Sequence, residues 1–213
     1  MDHHDFTIKS SLLILSISSL ILLANGASSS RNNIHAVSRS LNLNHIKEFC
    51  QKTSNPNLCA QTIEPHFLHG DLDPFKALEV EVEATHSQTT KTLNLIQTLL
   101  AKPDTTKSLK DSLDACKDQY HMILDAIKET KDCMARFDMI DASFKFSAVI
   151  SYQQTCKDQF EGDAFPLNDD SEAVFELGGN CLDIIADLKK GQEPKNLPPP
   201  QNTPTNNIIG TVS

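Results

Sequence analysis

The sequence predicts an all-α fold: an antiparallel up-down-up-down four-helix bundle, preceded by a short helical hairpin that a disulfide would close. Three observations predict it. Four segments carry apolar residues at alternating steps of three and four, the spacing that buries one stripe per helix in a left-handed bundle. Alternating β-branched or aromatic runs, the signature of strands, are nearly absent. Two of the six cysteines flank a turn signal, and two more fall within the apolar seams of the second and third periodic segments.

The 213 residues suggest one domain once both ends are set aside. Residues 1–26 read as a secretory signal: a polar start containing Lys9, an apolar run from Leu12 to Ala24, then the small residues Ala24-Asn25-Gly26-Ala27. A run of about 13 residues falls short of the roughly 20 needed to span a bilayer, so no membrane anchor is expected after signal removal. Residues 27–43 are polar and aperiodic, a flexible lead. Residues 191–213 carry Pro194, Pro198, Pro199, Pro200 and Pro204 among Asn, Gln and Thr, a composition that cannot bury a core and reads as a disordered tail. The helical domain is therefore expected over 44–190. Removing 1–26 takes Lys9, Asp2 and Asp5 from 19 basic and 28 acidic residues, leaving a net charge of about −8. With no basic patch, nucleic acid is excluded as a partner.

Each helix has its own start and seam. Asn55-Pro56 marks the turn of the hairpin. Asp73-Pro74 is a cap followed by proline at the first helical position, and Phe75, Leu78, Val82, Thr89, Leu93, Ile96 and Leu100 follow, interrupted at Thr85-His86. Pro103 stops that helix. The second carries Leu109, Leu113, Cys116, Tyr120, Ile123 and Ile127, and the third Phe146, Val149, Gln153, Cys156 and Phe160. The fourth carries Val174, Leu177, Cys181, Ile184 and Leu188 behind the capping candidates Asp170 and Ser171.

Export permits disulfides, and six cysteines formally allow 15 pairings. A Cys50–Cys59 bond would close the hairpin, holding segments too short to be helical alone. A Cys116–Cys156 bond would staple the second helix to the third. Cys133 lies roughly 29 residues along its helix and Cys181 about 10 into a parallel one, levels some 25–30 Å apart at 1.5 Å per residue. A disulfide needs Cα atoms within about 7 Å, so these two are expected as free thiols. Cys181 reads as a buried small hydrophobe. Cys133 reads as exposed and able to form an intermolecular bridge in an otherwise monomeric protein.

From Asn44 to Leu188 the sequence resembles the plant invertase and pectin methylesterase inhibitor family. The pieces are Ile46-Lys47-Glu48-Phe49-Cys50, then Thr53, Asn55-Pro56, Leu58 and Cys59; Leu113-Asp114-Ala115-Cys116 with Tyr120; Ser147-Ala148-Val149-Ile150-Ser151 leading to Thr155-Cys156-Lys157-Asp158-Gln159-Phe160; and Leu177-Gly178-Gly179-Asn180-Cys181-Leu182. The resemblance implies Cys50–Cys59 and Cys116–Cys156 bridges, secretion to the apoplast and cell wall, and inhibition of a carbohydrate-active enzyme. In the pectin methylesterase branch, it implies bundle helices packed over the enzyme's active-site cleft. Ser151 stands where many relatives have Thr, and Cys133 and Cys181 lie outside the shared bridge set. The Pro-Lys-Phe triplet of the invertase branch is Phe144-Lys145-Phe146 here, without its proline. Pectin methylesterase is therefore the expected target, with a cell-wall or vacuolar invertase as the alternative.

Such an inhibitor needs an exposed helical face. One candidate is Val80, Ala84, Ser87 and Lys91, small residues opposite the first seam with Val80 exposed at the top. The other is the acidic outer side of the second helix, Asp111, Asp114, Asp118, Asp125 and Glu129, from which Asp118 and Asp125 are chosen together with Ser151. Catalysis is not expected: Glu79 and Glu83 share one exposed face with no cleft between them, and no strained glycine elbow supports a nucleophilic serine. His66 and His69, with only Asp71 near, fall short of the four ligands of a structural zinc site, so neither metal nor cofactor is expected. A ligand-carrying bundle remains a further alternative, which requires an internal cavity of several hundred Å³. A pro-segment is not expected, since no catalytic module follows.

Overall fold

The computed structural model describes residues 42–67, 71–160 and 164–191. The expected signal sequence, most of the lead, the tail and His69 lie outside them. Among the described residues six α-helices form: α1 (42–50), α2 (Pro56–Ile63, extended by a 3₁₀ turn Glu64–His66), α3 (Pro74–Leu100), α4 (Lys107–Ala135), α5 (Met139–Asp158) and α6 (Asn168–Lys190). Asn42 and Leu43, assigned to the lead from sequence, are helical. No described helix is long and apolar enough to cross a membrane.

Capping explains where the helices start. The Asp73 carboxylate accepts from the Phe75 and Lys76 N–H groups at 2.8 and 3.1 Å, with Pro74 at the first helical position. Asn55, Thr106 and Asp138 cap α2, α4 and α5 in the same way. Helix α6 departs from expectation. It starts at Asn168 with Leu167 as an N-cap that offers no side-chain bond, and Asp170 and Ser171 lie inside the first turn, committed to tertiary partners. Asp170 accepts from Gln88 at 2.9 Å, and Ser171 accepts from Gln153 at 2.8 Å.

Short connectors at 101–106, 136–138 and 159–167 make successive bundle helices antiparallel, and α6 closes the ring against α3. The tightest corner is at the end of α4. There the Asp138 N–H donates to Cys133 O at 3.0 Å and the Phe137 N–H to Met134 O at 2.8 Å, the paired bonds of a Schellman turn. The residue in the left-handed position is Phe137 (φ 57°) rather than glycine, and its ring packs on Phe75 at 4.9 Å between centroids.

The seams close as one apolar core through Leu78, Val82, Leu113, Tyr120, Ile123, Phe146, Val149, Val174 and Ile184. Thr85, an interruption in the periodicity, is fully buried: its hydroxyl donates to Glu81 O one turn back at 2.9 Å and lies 3.5 Å from the Cys181 sulfur. Gly178 keeps α5 and α6 close, since a Cβ there would sit 2.8 Å from Ile150 Cδ1.

The hairpin has its own small core of Ile46, Cys50, Cys59, Ile63 and Phe67, closed against Ala77 of α3. Its turn is clamped to α6. Asn180, wholly buried, accepts from the Asn55 N–H at 2.9 Å and donates to its carbonyl at 3.2 Å. One turn on, Asp183 accepts from both the N–H and the hydroxyl of Ser54 at 2.6 Å, and Asp187 pairs with Lys52 at 3.2 Å.

Disulfides join Cys50 to Cys59 and Cys116 to Cys156, with Cα atoms 5.7 and 4.6 Å apart. Cys133 and Cys181 are unpaired and buried. The expectation of an exposed Cys133 is corrected. The thiol is 2% exposed because the chain reverses immediately after it, and it donates to Asp141 at 3.3 Å. Buried there, it is closed to an intermolecular bridge.

Candidate partner-docking face

The seven residues singled out for partner binding do not form one face. Val80, Ala84 and Ser87 line a surface groove of about 390 Å³ between α3 and the end of the hairpin, together with Thr62, His66, Glu79 and Glu83. Val80 was expected exposed at the top of a flat face. Instead it is half-buried against the hairpin core, because α2 folds back over that part of α3. Lys91 stands apart, its ammonium 2.7 Å from Asp170 of α6. That lysine, with a lesser contribution from Gln88, lowers the Asp170 carboxyl pKa from its ordinary value. Lys91 therefore ties α3 to α6.

Asp125 and Ser151 do meet. They line an open groove of about 580 Å³ between α4 and α5, with Met122, Glu129, Phe144, Lys145, Ser147 and Tyr152. Small residues of α4 and α5, Ala126 and Ala148, also line it. Two apolar side chains stand out of it: Phe144 is 74% and Met122 43% exposed. Sequence reasoning missed both. Phe144 was the signal at hand, an aromatic two residues from Phe146, which puts it off the seam of the same helix.

Charge on this side is mostly negative. Asp111, Asp114, Asp118, Asp125 and Glu129 are all exposed on α4. Lys117 engages Asp114 at 3.1 Å and Lys145 engages Glu129 at 2.9 Å, the latter tying α4 to α5 at the groove. The Glu129 carboxylate in turn raises the Lys145 pKa. Asp118 and Asp125 have no ion-pair partner among the described residues. Two uncompensated carboxylates beside exposed apolar groups can steer and then seat a protein surface with basic and apolar features.

The other chemistries find no arrangement to support them. Glu83 is held by Lys131 at 2.6 Å, with His86 at 3.6 Å, and the Lys131 ammonium foremost lowers its pKa. Among the described residues no three His, Cys, Asp or Glu side chains are placed to hold a metal. The grooves between α4 and α5 and between α3 and the hairpin are two of several open ones on the outside of the described bundle.

This architecture is shared with known proteins. A pectinesterase inhibitor of Actinidia deliciosa is 31% identical over 123 residues, covering 56% of this chain and 64% of that protein. Pectinesterase inhibitor 1 of Arabidopsis thaliana is 24% identical over 113 residues, covering 53% and 62%. The matches thus span a little under two thirds of each relative. A solved mutant form A of a pectin methylesterase inhibitor from Arabidopsis has the same fold, with a TM-score of 0.58 at 21% identity over 66% of this chain and 95% of that one. The family model described as plant invertase/pectin methylesterase inhibitor matches residues 44–184, from the first helix into the last. The chain belongs to the plant invertase/pectin methylesterase inhibitor family, a family of proteinaceous inhibitors and not of enzymes.

Proposed function

We propose that this chain is a secreted inhibitor that lays its α4–α5 face over the active-site cleft of a plant pectin methylesterase. One observation carries the choice of face. Asp118 and Asp125, unpaired and exposed, lie on the same side of a doubly cross-linked block as the exposed Met122 and Phe144 and the Ser151 hydroxyl. The block is rigid, so little conformational entropy is lost on docking. The apolar side chains supply an anchor, and the carboxylates raise the association rate. The choice of target is supported by the names of both relatives, pectinesterase inhibitors. Secretion to the cell wall is supported by the signal-like segment at 1–26 and by two disulfides, which persist in oxidising compartments.

The experiment is inhibition of a plant pectin methylesterase and a cell-wall invertase by the mature protein at mildly acidic pH. Loss of pectin methylesterase activity alone is expected. Phe144→Ala should weaken inhibition by about tenfold or more, as for a central anchor. The pair Asp118→Lys and Asp125→Lys should slow association by roughly tenfold at low salt, an effect that 0.5 M salt abolishes. Ser87→Lys, on the α3 groove, should change little. Sensitivity to Ser87→Lys with indifference to Phe144→Ala would move the interface to α3. Inhibition of neither enzyme would remove the proposal.

A further inference from the structure

We propose that Glu81 is a proton-gated core residue: as the neutral acid it lets α3 close against α6 and the hairpin, and its ionisation loosens that seam, building an upper pH limit into the fold. Helix geometry puts it there. Glu79 and Glu83, both exposed, lie on the outer side of α3, and at about 100° per residue position 81 points nearly opposite both. Glu81 is 0% exposed, and neither of its carboxyl oxygens has a hydrogen-bond partner. One turn before it, Ala77 packs into the hairpin core; one turn after it, Thr85 reaches Cys181 of α6. Its place is thus the junction of three elements, where an uncompensated charge costs most.

Among the described residues no cation answers it. On α3, His86 associates with Glu83 at the surface, and from α4 Lys131 also goes to Glu83. From α6 the Cys181 thiol faces it; burial first and Glu81 second push that thiol well above its ordinary pKa, so it stays a neutral thiol. Asp183 and Asp187 of the same helix are engaged by Ser54, Lys52 and Lys190. The hairpin brings the Cys50–Cys59 disulfide, which does not titrate. With desolvation unopposed, the carboxyl is pushed up to about 8. The unfolded chain ionises this group near 4.5. The stability allowed by the neutral acid is therefore complete below about 4.5, declines as pH rises, and is gone above about 8.

The test is urea unfolding of the full chain and of Glu81→Gln from pH 4.5 to 9. Wild type should lose about tenfold in folding equilibrium per pH unit relative to Glu81→Gln between about pH 4.5 and 8, and no more above that. Parallel curves would overturn the proposal. Should Glu81→Gln fail to fold, ¹³C NMR of glutamate carboxyls in wild type decides alone: one resonance titrating above pH 7 is expected. All of them titrating below about pH 5.5 would end the idea. Neither readout involves an enzyme, so docking and gating stand or fall separately.

Discussion

At the residue scale the decisive groups are polar ones committed to single partners. Asn180 is the clearest. Buried on α6, it accepts from the Asn55 N–H and shares the Asn55 carbonyl with the Cys59 N–H of α2. Asn180→Ala should cost about 1–3 kcal/mol, the penalty of leaving the Asn55 N–H unmet. Urea unfolding would give that loss, and hydrogen exchange should show residues 42–63 opening first. A change below about 0.5 kcal/mol would mean that Asp183 and Lys52 hold the turn unaided. None of this is legible in the sequence, because Asn180 sits on a helix with nothing nearby to name its partner 125 residues away. Glu81 is half legible: the 3.6-residue period turns it away from Glu79 and Glu83, but only packed neighbours make that direction a dry one. Cys133 shows the opposite failure. A free thiol near a helix end reads as exposed, but the chain reverses there and sets Arg136 and Asp141 against its sulfur.

At the element scale the Cys116–Cys156 bond matters most. It joins the middle of α4 to the end of α5 and closes a 40-residue separation. A loop of that size corresponds to about 4 kcal/mol of unfolded-chain entropy. Cys116→Ser with Cys156→Ser should therefore unfold at markedly lower urea, with a loss of about 3–4 kcal/mol. The doubly substituted hairpin, with its shorter loop of nine, should lose less. Equal losses for the two bridges would contradict the loop-entropy account. Element types and seams were legible because amphipathic spacing and caps are local: Asp73-Pro74 and Asn55-Pro56 act within three residues of themselves. The start of α6 was not, since Asp170 and Ser171 look like caps but are held by Gln88, Lys91 and Gln153 from α3 and α5.

At the scale of the whole molecule, opposing titrations bound the range of stability. Lys190 with Lys52 lowers the Asp187 pKa, and Lys91 with Gln88 lowers that of Asp170. Their contribution is present above the ordinary carboxyl pKa and is lost as pH falls through the lowered one, the mirror image of Glu81. Stability against pH should be a dome, and Lys91→Met should move its acid limb to higher pH. Circular dichroism from pH 2 to 9 would show this, and an unmoved acid limb would discount the Lys91 pair. The two faces considered for docking also separate only at this scale. Val80 and Ser151 are equally plausible on a helical wheel, but folding lays the hairpin beside one and leaves an open groove beside the other. What the sequence by itself determined was the local grammar: helix positions, inward stripes, acidic exterior and the cysteines available for bridges. Only the tertiary structure decided which polar groups are dry, which charges are paired and which face stays open. Those depend on neighbours brought together from distant parts of the chain, and a periodicity of three and four carries no record of them.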